Sequence, residues 1–165
     1  MQKVIHILDS ISDRVGRFSS WFVLAMVLIT CAVVIARYVL NIGSVFLQDV
    51  VLYLHGALFL LAAAYTLKED GHVRVDIFYR DFSIKKKAIV NIIGNLLFLI
   101  PFALVVLFNS FEFVEFSWAI KEKSPEPDGV PYVYLQKSLL LVVCVLLLIQ
   151  SLSEILKNFL TLTNG

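Results

Sequence analysis

Four long apolar runs constrain this chain more than any other feature. The first, 18–36, is broken by polar groups only at Ser19, Ser20 and Thr30, and such hydroxyls can bond back to helix carbonyls. The second, 50–67, has His55, Gly56 and Thr66 as its least lipid-like members. The third, 89–108, carries Asn91, Gly94, Asn95 and Pro101, which predict that it does not face lipid on every side. The fourth centres on 139–149 and extends over about 134–156, with Gln150 and Glu154 near one end. A spanning helix takes roughly 20 residues, so four spans with short connections consume most of the 165 residues. Only 16% of the chain is charged and the mean hydropathy is +0.86, against about 25% charged in an ordinary soluble domain. The expectation is an all-α integral membrane protein forming one domain over 1–165, with spans at about 18–38, 48–68, 87–110 and 134–156.

Two helices should reach beyond their spans. Val4, Leu8, Ile11, Val15 and Phe18 recur at three- and four-residue steps, with Asp9, Asp13, Arg14 and Arg17 between them. This pattern predicts an amphipathic helix over 3–17 lying in the membrane interface. The alternative is that it prolongs the first span. That first run is too long for a signal-peptide core, and Arg37-Tyr38 follows where a small-residue cleavage site would stand, so an uncleaved span is expected. The third helix should run on to about 121, because Phe108, Phe111, Glu112, Glu115 and Phe116 keep helical spacing with no breaker before Ser124-Pro125.

Basic residues orient the spans. Lys3, Arg14, Arg17, Lys68, Arg74, Arg80, Lys85, Lys86, Lys87 and Lys157 fall on one side, ten in all. Arg37, Lys121, Lys123 and Lys137 make four on the other. Both termini should therefore be cytoplasmic, and the acidic segment 112–128 should face outward. A net charge of +1 excludes a protein held to polyanions by bulk charge, and no nucleic acid partner is expected.

The chemistry of the spans is sparse. A coupled carrier needs an ionisable group near mid-bilayer, yet no Asp, Glu, Lys or Arg lies near the centre of any run. Cys31 and Cys144 form no metal spacing and are read as buried small hydrophobes. His55 and His72 are 17 positions apart on or beside one helix and cannot share one haem iron; His55 is read as a hydrogen-bonded packing residue. No cofactor, metal site or catalytic residue is expected. The module is read as catalytically inert, with polar positions that serve a partner.

Three pieces of sequence carry a resemblance. Ala36-Arg37-Tyr38 closes the first span. Phe46-Leu47-Gln48-Asp49 precedes the second, and Leu67-Lys68-Glu69-Asp70-Gly71-His72-Val73-Arg74-Val75-Asp76 follows it. In this order they resemble the small membrane subunit of tripartite ATP-independent periplasmic (TRAP) transporters. The stretch from Glu122 to Tyr132, Glu-Lys-Ser-Pro-Glu-Pro-Asp-Gly-Val-Pro-Tyr, resembles the branch associated with mannitol, chloroaromatic or 2-oxo acid substrates. Many relatives carry Trp and a Glu pair before the second span, where this chain has Phe46, Gln48 and Asp49.

The resemblance implies a bacterial inner-membrane complex. A periplasmic substrate-binding protein captures an organic acid, a large membrane subunit moves it with sodium, and the small subunit supports the large one. On this reading Gln48, Asp49, His72, Arg74 and Asp76 brace the turns or the large subunit. Lys121, Lys123, Asp128 and Tyr132 lie where the binding protein would dock, on a connection stiffened by three prolines. Arg37, Lys85, Lys86 and Lys87 are read as contacts to membrane lipid headgroups. Arg37 and Asp49 flank the turn around 41–44 and could pair across it; alternatively Arg37 snorkels and Asp49 favours a helix start. Gly71 is placed just past the end of the second helix, where glycine is favoured. A second functional class stays open: the membrane anchor subunit of a respiratory redox complex.

Overall fold

The computed structural model describes residues 1–72 and 79–164. It consists of α1 (Gln2–Val39), α2 (Val45–Lys68), α3 (Ile84–Gly94), a π-helical turn (Asn95–Leu99), α4 (Ile100–Ala119) and α5 (Val133–Asn164). No strand occurs among the described residues. Four helical stretches are long and apolar enough to cross a membrane: α1, α2, the joined α3–α4 rod and α5.

Helix α5 is the hub, packing on α1, α2, α3 and α4. Val143, Cys144, Leu146 and Leu147 of α5 meet Ala64 of α2 and Ala103 of α4 in the core, with Ile11 and Val15 of α1 packed against them. The small core residues let helix backbones approach closely, which is how helices associate where lipid removes the hydrophobic driving force between them. Helix α1 uses the same device. Its buried positions are Ser12, Gly16 and Ser19, and a Cβ on Gly16 would strike the Cβ and ring of Tyr65 on α2.

Residues 2–39 form one unbroken helix. The expected separate interfacial helix over 3–17 is thus continuous with the first span. Ile11 and Val15, two members of its apolar stripe, turn to the protein core. At 1.5 Å per residue α1 is about 57 Å long, well beyond the ~30 Å thickness of a hydrocarbon core. Helix α5 likewise continues to Asn164 instead of stopping near 156, held by the polar contacts of its last turns described below.

A π-helical turn joins the two halves of the third span. Pro101 stands at the start of α4 and has no N–H to give to the helix ladder. The backbone widens just before it, and the Ile100 N–H reaches the Asn95 carbonyl. Asn95 then donates to the Asn91 carbonyl at 2.8 Å and accepts from Ser151 of α5 at 2.9 Å.

Helices α2 and α4 end alike. Asp70 and Lys121 adopt left-handed φ of 55° and 49°, and the next N–H returns to a helix carbonyl: Gly71 to Thr66 at 2.9 Å, Glu122 to Ser117 at 3.1 Å. This is the Schellman arrangement. The left-handed residue at the end of α2 is therefore Asp70, and Gly71 lies one position further on than expected.

Candidate functional site

Polar side chains concentrate at the two ends of the bundle and on one lateral stripe. The end carrying both termini holds two latches built from α1. Asp9 pairs with Lys157 of α5 at 2.9 Å. The same carboxylate accepts hydrogen bonds from Ser153 at 2.6 Å and from Gln150 at 3.0 Å. Gln150 also donates to Glu154 at 3.0 Å, and Lys157 pairs with Glu154 at 2.7 Å. One turn on, Asp13 pairs with Lys68 of α2 at 2.8 Å and with Arg17 at 2.7 Å. Two acids at i and i+4 thus tie α1 to two different helices. Gln150 and Ser153 are wholly buried, so the Asp9 latch is partly desolvated, and hydrogen bonds to charge are stronger there. Along α3 a second polar seam runs from Tyr79 to Asn91 at 3.0 Å and from Asn91 to Asn158 of α5 at 3.2 Å. Asn91 and Asn95 do face protein, as their polarity within an apolar run predicted.

The opposite end carries the connection between α4 and α5. Asp49, just past the first turn of α2, is 8% exposed and accepts the Val130 N–H at 3.1 Å. Gly129 is needed for that approach: a Cβ there would sit 2.5 Å from both the Asp49 carboxylate and the Ser124 hydroxyl. The connection is closed on itself as well. Ser124 N–H bonds to the Val130 carbonyl at 3.0 Å and Val133 N–H to the Glu122 carbonyl at 3.2 Å. Lys137 pairs with Glu122 at 2.5 Å, and its ammonium holds the Glu122 carboxyl below the usual glutamate range. Trp118 donates to Ser138 at 2.8 Å. Lys121 lies over the rings of Trp118 and Tyr134, at 5.0 and 5.3 Å. The result is an ordered, exposed platform.

The residues singled out in the sequence distribute as follows. Asp49 braces, but against this chain's own connection. It does not pair with Arg37, which is exposed at the end of α1. Gln48 is exposed, as are Lys121, Lys123, Asp128 and Tyr132 on the connection. Lys121 is committed to the aromatic pair, and Tyr132 packs on Tyr134 at 6.2 Å between ring centroids. Lys85 and Lys86 are exposed at the start of α3, and Lys87 lies 5.4 Å over the Tyr79 ring. Three cations at a helix N-terminus oppose its dipole, so helix stability does not account for them. His72 is exposed; the bracing read for Arg74 and Asp76 falls outside the described residues. Two expectations fail. His55 is exposed and has no hydrogen-bond partner among the described residues, so it is not a packing residue within this chain. Cys31 is exposed too, and only Cys144 is buried. Sequence reasoning missed Asp9, Asp13, Gln150, Ser153 and their lysines; the signal available was the polar run at the end of the fourth apolar segment.

A helical chain able to cross a membrane four times, with polar side chains joining its own helices at both ends, has the build of an integral membrane protein. Residues 26–161 match the family model described as tripartite ATP-independent periplasmic transporters, DctQ component, and the chain belongs to that family. It is therefore the small membrane component of a TRAP transporter. No curated protein matches the chain, and no solved structure matches it.

Proposed function

We propose that this chain is the non-catalytic small permease subunit of a sodium-coupled, binding-protein-dependent importer of an organic acid in the bacterial inner membrane. It holds the large transport subunit in the bilayer and adds surface for the periplasmic binding protein. The observation that carries this reading is the family match over 26–161, and the absence of Asp, Glu, Lys and Arg from the centres of the apolar runs supports it. Sodium and solute then cross in the large subunit. The run from Glu122 to Tyr132 favours the branch handling mannitol, chloroaromatic or 2-oxo acid substrates.

In this reading the basic side, with both termini, is cytoplasmic, and residues 2–17 stand at that membrane face against the ends of α2 and α5. Lys85, Lys86, Lys87 and Arg37 meet lipid headgroups. The platform carrying Lys121, Lys123, Asp128 and Tyr132 faces the periplasm and receives the binding protein. Gln48 and the turn of His72, Arg74 and Asp76 contact the large subunit, while Asp49 acts from behind by fixing the platform. Affinity capture of the tagged chain from its native membranes tests the proposal. A long multi-span partner is expected. Capture of a redox subunit, or a Soret band in the purified material, would overturn it in favour of a respiratory anchor.

A further inference from the structure

Resting on that reading, we infer that the exposed stripe Val45, Gln48, Leu52, His55 and Phe59 of α2 is the face that receives a transmembrane helix of the large subunit, one that presents hydrogen-bonding side chains at the depths of Gln48 and His55. These positions follow steps of three and four residues, so they lie on one helix face. All five are exposed, with Leu52 at 65% and Phe59 at 73%. The other sides of α2 are taken by α1 and α5.

The depth of the polar members makes lipid a poor neighbour. His55 lies seven positions into the expected span 48–68, about 10 Å along the axis, which is inside a ~30 Å core. Gln48 is seven positions away, about 10 Å nearer the platform end, at the edge of that span. Neither side chain has a hydrogen-bond partner among the described residues. An imidazole and a carboxamide can each donate and accept, and leaving the His55 imidazole in hydrocarbon is costly. A partner helix with matching polar groups removes that cost. Beside the stripe, Thr30 and Val33 of α1 with Gln48, Val51 and Leu52 line a cleft of about 280 Å³, room for a side chain inserted from such a helix. The contrast within the molecule is direct. The exposed face of the third span around Leu97, Phe98, Phe102, Val105 and Phe108 is apolar, and the Asn109 amide beside it donates to the Val105 carbonyl of its own helix at 2.7 Å, so this face suits lipid.

The test uses the full chain co-expressed with its large subunit in membranes. A photoreactive benzoylphenylalanine replaces Leu52 or Phe59, with Phe98 and Phe108 as controls, and co-purification of the two subunits is followed in the same samples. Adducts to the large subunit from positions 52 and 59, and none from 98 and 108, are expected. Adducts between two copies of this chain, or adducts to the large subunit from the controls alone, overturn the assignment while the supporting role stands. If the unsubstituted chain fails to capture the large subunit, both fall. The double variant Gln48→Leu/His55→Leu should lower large-subunit recovery about threefold per hydrogen bond lost at unchanged membrane level of this chain, with His55→Asn restoring part of it. Full recovery with the double variant would contradict the polar pairing.

Discussion

Asp49 and Val130, 81 positions apart, join through a single 3.1 Å hydrogen bond in which the carboxylate accepts the backbone N–H. The bond fixes the α4–α5 connection onto the start of α2, so the platform is held from two sides. Asp49→Ala leaves the buried Val130 N–H without a partner, which costs about 1–3 kcal/mol. A lower Tm in detergent and faster proteolysis within 121–132 are expected. Asp49→Asn keeps an acceptor and should lose less. Gly129→Ala, which forces a Cβ against Asp49 and Ser124, should resemble Asp49→Ala.

The two latches of α1 should not be equivalent. Asp9 serves Lys157, Ser153 and Gln150, two of them wholly buried. Asp9→Ala leaves the buried Ser153 hydroxyl without its acceptor, while Gln150 and Lys157 keep Glu154, at a cost of about 1–3 kcal/mol. Asp13 is a more open group whose partner Lys68 keeps Glu69 at 2.9 Å, and exposed pairs contribute little. Thermal unfolding should therefore rank Asp9→Ala well below Asp13→Ala. Equal losses would show that the buried hydroxyl and amide contribute nothing.

Gly16 admits the Tyr65 ring to the axis of α1. Gly16→Leu should overpack this crossing and cost about 1–3 kcal/mol, read as lowered Tm. Combining it with Tyr65→Ala should recover part of the loss, the coupling expected of residues in contact.

The platform should respond to acid. Glu122 is held below the usual glutamate range by Lys137. A carboxyl depressed in the folded state contributes stability that is complete above its unfolded value and is lost as pH falls through the folded one. Trp118 fluorescence, read in a Trp21→Phe background, should stay flat from neutrality down to the ordinary glutamate range and change only below it. In Glu122→Gln that acid step should vanish.

The helical segments were legible in the sequence, because long apolar runs are what hydropathy reports. Four apolar runs became four helices, and the polarity of Asn91 and Asn95 correctly pointed inward. Azimuth was less legible. His55 and Asp49 are both polar residues on α2, yet one turns outward and the other to the connection, and only the packing of α2 between α1 and α5 decides which. Asp9 and Asp13 read as the polar face of an interfacial helix because their partners, Lys157 and Lys68, lie 148 and 55 positions away. No local pattern encodes such pairings. The unbroken α1 was hidden for a related reason: the apolar steps of Val4, Leu8, Ile11 and Val15 suit an interfacial helix and a prolonged span alike, and the core contacts of Ile11 and Val15 decide between them.

Solute flux in reconstituted vesicles tests the central claim most directly. Vesicles holding this chain alone, with a sodium gradient and purified binding protein, should show no uptake of the transporter's organic acid. Vesicles holding it together with the large subunit should show sodium-dependent uptake that is lost when this chain is omitted. Uptake by this chain alone, or undiminished uptake without it, would contradict the account.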